Sequence, residues 1–269
     1  MAEAGVAGDA VIVERDGPVV TLVLDRPERR NPLSLATMEA LRAALAAAGE
    51  DPSARAVVIG ARGPVFCAGH DLRELRTRDA AVHERVFAAC AELMLTIHRL
   101  PLPVIARVQG LATAAGCQMV AACDLAVAAE GARFATPGVR IGLYCTTPMV
   151  EVARAVGRMR ANRMLMTGEP VDAATALAWG LVSDVVPADD LDDAAAALAA
   201  AVASASRDTV ARGKRATGEN LGLPLAEAYD HAGAAMCANA LSGDAQEGIA
   251  AFLDKREPVW THRGDPAGE

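Results

Sequence analysis

Aromatic residues are scarce. Four Phe, two Tyr and two Trp occur in 269 residues, so the core has to be filled by Ala, Val, Leu and Met. Lysine is scarcer still, with only Lys214 and Lys255 present. The net charge of −8 argues against a general nucleic-acid binder, which needs clustered cations to neutralise phosphates. It leaves room for a phosphorylated small ligand held by a local cation. The six cysteines form no CxxC pair and mostly sit inside apolar runs. That speaks against a disulfide framework and for a reducing compartment. No apolar run reaches the roughly 18 residues of a membrane-spanning helix. The N-terminal stretch MAEAGVAGD is acidic and carries neither an apolar signal core nor an Arg-rich amphipathic presequence. The expectation is a cytoplasmic protein without a membrane span.

The chain is 52% hydrophobic, enough for a large packed core. VIVERDGPVVTLVLDRP holds two strand-like runs around Asp16-Gly17-Pro18, a hairpin signal. Ser34 is placed to cap a helix that carries Leu41 and Leu45 on one face. ARAVVIGA reads as a strand buried on both faces. Val82, Val86, Cys90, Leu93 and Ile97 recur at helical steps, which predicts a helix over 80–99 ended by Pro101 and Pro103. From about Thr146 onward the pattern is mostly helical, broken at GEPVD, GLVSDVVP and GLP. The division expected is a core over 1–205 and a helical region over 206–269.

Two segments are candidates for chemistry: GPVFCAGHDLREL and QGLATAAGC. Each reads as a strand-to-helix junction with small residues at the turn, and Asp71 is placed to cap the helix after the first. Free backbone N–H groups at a helix start, strengthened by the helix dipole, can bind a negatively charged oxygen. Two such donors aimed at one point make an oxyanion hole, and small residues let a ligand carbonyl reach the backbone. Close helix–strand packing uses the same residues. No GxSxG, HExxH, Walker or GxGxxG sequence is present, and the histidines show no metal-ligand spacing. Cys67 and His70 are close enough in sequence for a nucleophile–base pair, although a buried inert thiol fits Cys67 as well.

FCAGHDLREL, QGLATAAGCQMVAACDLAVAAEGARFATPGVRIGL, LMTGEPVDAATALAWGLVSDVVP and DAQEGIAAFLDKREPVW, in this order and spacing, resemble the crotonase (enoyl-CoA hydratase/isomerase) superfamily over nearly the whole chain. The resemblance implies an α/β fold: a repeated ββα spiral core with a helical C-terminal trimerisation region. It implies an acyl-CoA thioester as partner and substrate, a homotrimer or hexamer, and no cofactor apart from the coenzyme A of the substrate. The oxyanion donors would be the backbone N–H groups of His70 and Ala115. Ala68, Gly69, Asp71 and Leu72 would line the adenine side of the coenzyme, Arg30 would border the nucleotide, and Lys255 would meet a phosphate.

The chain departs from the family's hydratases at two positions. They carry Glu where this sequence has Gln118 and Gly138. Hydration of an enoyl thioester needs a base to activate water and an acid to protonate Cα, and an amide supplies neither near neutral pH. Gln118 can instead hold a water or cap the helix start. AGHD also resembles the family's methylmalonyl-CoA decarboxylase, which has a His at this position and a Tyr in the loop of Tyr144, with the register shifted by one residue. Three readings stay open: a lipid-metabolism enzyme with weak hydratase or isomerase activity, another oxyanion-hole enzyme such as a decarboxylase or thioesterase, and a non-catalytic acyl-CoA-binding or regulatory protein.

Overall fold

The structure is a computed structural model that describes residues 3–6 and 10–263. The hairpin forms as the sequence predicts. β2 (Val11–Asp16) runs antiparallel to β3 (Val19–Leu24) around Gly17, and β1 (Glu3–Val6) joins its outer edge. Ser34 caps α1 (Leu35–Glu50) by accepting from Thr37 N at 3.2 Å, and α1 buries Leu41 and Leu45. A strand–strand–helix unit then repeats three times: β4 (Ala56–Ala61), β5 (Val65–Cys67) and α2 (Ala80–Arg99); β6 (Val104–Val108), β7 (Leu111–Thr113) and α3 (Ala115–Ala122); β8 (Leu125–Ala129), β9 (Arg133–Ala135) and α4 (Thr146–Val156).

After α4 come α5 (Arg158–Thr167), β10 (Val171–Asp172), α6 (Ala173–Trp179), β11 (Asp184–Val186) and α7 (Leu191–Ala203). The first strand of each repeat enters one seven-stranded sheet, in the order β1-β2-β3-β4-β6-β8-β11. The second enters a four-stranded sheet, in the order β10-β9-β7-β5. This alternation winds the chain into the expected ββα spiral. β4 is buried along its whole length because both faces are covered. Val57 and Ile59 face the main core with Phe66, Leu93 and Phe134, while Ala56 and Val58 pack with Ile105 and with Ala199 of α7.

Three helices complete the described chain: α8 (Arg207–Asn220), α9 (Leu225–Ala240) and α10 (Gly243–Asp254). Lys214 of α8 reaches the core, where its Nζ donates to Ile97 O at 2.8 Å and Leu102 O at 2.9 Å and pairs with Asp124 Oδ2 at 2.7 Å. Asp244 of α10 accepts from Ser206 Oγ, Thr261 N and Oγ1, and His262 N, so one buried carboxylate ties the C-terminal segment to the start of α8. Leu225, Tyr229, Met236, Leu241, Phe252 and Leu253 remain exposed.

Two expectations are corrected. GPVFCAGHDLREL is a strand followed by turns, and no helix begins there. Asp71 does not cap a helix: it accepts from Arg73 N at 3.1 Å within a turn and pairs with Arg29 at 2.5 Å. The helix starts at Ala80, capped by Asp79, which accepts from Ala81 N. The helix-dipole argument therefore holds only at the second junction. The breaks GEPVD and GLVSDVVP also hold the short strands β10 and β11, which the sequence reading took as interruptions between helices.

Candidate functional site

The β3–α1 loop brings its backbone against the turn after β5. Arg30 and Asn31 both have left-handed backbone angles, φ 64° and 50°. Buried Asn31 holds that shape: its Nδ2 donates to Arg62 O and Val65 O, and its Oδ1 accepts from Arg26 N. Ala68 N then donates to Arg30 O at 3.0 Å and Leu33 N to Gly69 O at 2.8 Å. The turn after β5 is thus pinned from one side.

From the other side comes the start of α3. Gly69 has φ +83°, and a β-carbon built on it would lie 2.9 Å from Ala114 Cβ, 3.0 Å from Thr113 O and 3.3 Å from Ala115 N. The two segments pack so closely that only glycine fits. Ala114 itself takes φ 52° and ψ −119°, a conformation that costs a non-glycine residue about 1–3 kcal/mol. Its N–H is spent on Ala135 O at 2.9 Å. Neither His70 N nor Ala115 N donates to another backbone group among the described residues. The junctions therefore present two free N–H groups on neighbouring segments.

Gln118 lies one helical turn beyond Ala115 and is 3% exposed. Its Oε1 accepts a weak bond from the Cys90 thiol of α2 at 3.7 Å. His70 places its ring edge-on to Phe87, one turn before Cys90 on the same helix, with centroids 5.5 Å apart. Burial lowers the pKa of His70, with the Leu33 backbone acting in the opposite sense, so the imidazole is neutral at pH 7. Among the described residues neither ring nitrogen makes a hydrogen bond of normal geometry. Burial pushes the Cys67 thiol up to about 12, which keeps it protonated and removes it as a nucleophile paired with His70.

Gly138 is buried, and a β-carbon on it would lie 2.0 Å from Leu143 O and 2.8 Å from Cys145 Sγ. The segment leading into α4 has closed over this position. Tyr144 belongs to the same segment and is 36% exposed. Arg30 and Leu72 are exposed on the pinned turns, with Asp71 beside them in its pair with Arg29. Lys255 follows α10, which packs against α8 and α9, and makes no hydrogen bond or ion pair with either turn. Sequence reasoning missed Thr113 and Thr136. Both hydroxyls are buried without a partner among the described residues, and each ends or follows a strand beside the start of α3. A polar residue closing each of two short apolar strands was the available signal.

Residues 14–263 match the family model described as enoyl-CoA hydratase/isomerase. Among curated proteins, enoyl-CoA hydratase domain-containing protein 3, mitochondrial, from Danio rerio is 44% identical over 266 residues, covering 98% of this chain and 92% of the relative. Its Rattus norvegicus counterpart is 47% identical over 250 residues, covering 93% and 83%. Among solved structures, the human enoyl coenzyme A hydratase domain-containing protein 3 superposes with a TM-score of 0.91 at 44% identity, covering 93% of this chain and 100% of that one. An enoyl-CoA hydratase from Mycobacterium smegmatis gives 0.91 at 47%, covering 93% and 98%. The curated relatives are named as mitochondrial, which overturns the cytoplasmic expectation. Composition and the acidic stretch MAEAGVAGD do not fix a compartment.

Proposed function

We propose, for a chain that belongs to the enoyl-CoA hydratase/isomerase family, that it binds acyl-CoA thioesters with the thioester oxygen between the backbone N–H groups of His70 and Ala115. The observation that carries this reading is the approach of Gly69 to Ala115 N, with both amides left without a backbone partner. Donors held in place before the ligand arrives need no reorganisation as charge develops on the oxygen, and one such donor is worth about 10²–10³ in kcat where it has been removed. Ala68, Asp71 and Leu72 border the adenine, exposed Arg30 meets the nucleotide, and Lys255 serves a phosphate. Lipid metabolism is the setting in which such thioesters arise.

Ordinary hydration of an enoyl thioester is slow in this site. Gln118 and Gly138 supply no carboxylate, and two of the nearest acids in sequence are engaged elsewhere: Asp71 with Arg29, Asp124 with Lys214. Losing one positioned acid or base costs about 10²–10⁴ in rate. Steady-state hydration of crotonyl-CoA, measured beside a relative that keeps both Glu residues, tests this. A rate at least about 10²-fold lower is expected; an equal rate overturns the reading.

The neutral ring of His70 favours a second reading, in which the oxyanion hole serves a thioester reaction that needs no carboxylate base. Turnover of a panel of CoA thioesters separates it from a site that only binds. The chain assembles as a homotrimer or hexamer, a reading supported by the exposed apolar side chains of α9 and α10.

A further inference from the structure

We propose that Cys90 is a positioning residue for Gln118: its thiol holds the amide oxygen against α2, the Nε2 hydrogens face the bound acyl group, and the site thereby prefers thioesters that carry an acceptor oxygen beyond the thioester carbonyl. This rests on the acyl-CoA reading above and deepens it.

Gln118 is almost fully buried, and its one polar side-chain partner among the described residues is Cys90 Sγ, at 3.7 Å from Oε1. Cys90 is wholly buried among the core residues of α2, and burial pushes its thiol up to about 12. It therefore stays an S–H donor across the working pH range, and a donor there selects the amide oxygen over the amide nitrogen. The two arms of a planar amide diverge by about 120°, so fixing Oε1 on α2 turns Nε2 away from it. Nε2 has no partner among the described residues.

The surroundings point the same way. Near the start of α3 the Thr113 and Thr136 hydroxyls are buried with no partner among the described residues, and Thr136 is fully buried. Buried polar groups left unpaired are costly, and a ligand oxygen that pairs with them gains accordingly. α2 is also braced as a support. Phe87 holds the His70 ring one turn before Cys90, and His98 Nε2 meets Glu151 Oε2 of α4 at 3.1 Å.

The test compares acetoacetyl-CoA with butyryl-CoA, which differ only by the C3 oxygen. Affinities are measured calorimetrically for the wild type, Cys90→Ala and Cys90→Ser, with Tm recorded for each. The wild type is expected to prefer acetoacetyl-CoA. Cys90→Ala should lower that preference by about 3- to 10-fold, the worth of one hydrogen bond, while butyryl-CoA affinity stays within about 2-fold. Cys90→Ser, which keeps a donor in place, should retain the preference. An unchanged ratio in Cys90→Ala overturns the proposal, as does an equal loss in Cys90→Ser, which would mark a packing role. If neither thioester binds the wild type, the acyl-CoA reading fails and this proposal falls with it. If both bind and the ratio holds, this proposal alone falls.

Discussion

The carbonyl oxygen of Leu143 lies 2.0 Å from the place a β-carbon on Gly138 would take, and Leu143 N donates back to Gly138 O at 2.9 Å. The space that a side chain at position 138 would need is therefore filled by backbone. Gly138 does not have a left-handed φ, so the obstacle is space and not backbone strain. Gly138→Ala and Gly138→Glu should each destabilise the protein by about 1–3 kcal/mol or more, as overpacking does. Thermal unfolding checks this; a Gly138→Ala variant as stable as the wild type contradicts it. Because a Glu at position 138 has no room, Gln118→Glu alone is the better probe of the proposed lack of acid–base chemistry.

Gly69→Ala is expected to act on both stability and ligand. The left-handed backbone costs the new side chain about 1–2 kcal/mol, and its methyl would sit 3.3 Å from Ala115 N, over one of the two proposed donors. Thioester affinity should fall by at least about 10-fold, the loss of one hydrogen bond together with its geometry. Titration with butyryl-CoA reads the effect, and a Gly69→Ala variant that folds and binds normally removes Ala115 N from the site.

Acid should weaken the fold before the carboxylates titrate. Burial lowers the pKa of His70, and burial together with nearby Arg55 lowers that of His262, whose Nδ1 accepts from Arg207 N. A histidine with a folded pKa below its unfolded value of about 6.5 binds more protons when unfolded. Its stabilisation is complete above about pH 6.5 and is lost as pH falls through the folded pKa. Tm should drop as pH falls below about 6.5, and the double variant His70→Asn/His262→Asn should show a flatter profile. Equal slopes for the two proteins count against the assignment.

Leu225, Tyr229 and Met236 project from α9 with 76%, 73% and 69% of their surfaces exposed, an apolar face that no described part of the chain covers. Faces of this kind mark contacts between molecules. Sedimentation should find the wild type assembled at micromolar concentration and Leu225→Asp/Tyr229→Asp shifted toward monomer. A monomeric wild type refutes the trimer or hexamer.

The elements with local signals were legible in the sequence. Asp16-Gly17-Pro18 marked the hairpin, Ser34 the start of α1, and Val82 to Ile97 the whole of α2. β5, β7 and β9 were harder because three residues each carry no periodicity. GPVFCAGHDLREL reads as a strand-to-helix junction from the small residues at its turn, yet the Arg29–Asp71 pair and the Asp79 cap divide that stretch between a turn and α2. The small residues of both junctions were visible, but their convergence was not, since it depends on Asn31 pinning a distant loop. The Cys90–Gln118 contact spans 28 residues, and the closure of Leu143 over Gly138 is a backbone event. Neither leaves a trace in local pattern.

The central claim is that the thioester oxygen is held by two backbone N–H groups. The direct measurement is calorimetric binding of butyryl-CoA against S-butyl-CoA, the thioether that lacks only the carbonyl oxygen. Two hydrogen bonds at about 0.5–1.5 kcal/mol each predict that the thioester binds about 5- to 100-fold more tightly. Equal affinities for the two ligands would contradict the oxyanion hole at His70 and Ala115.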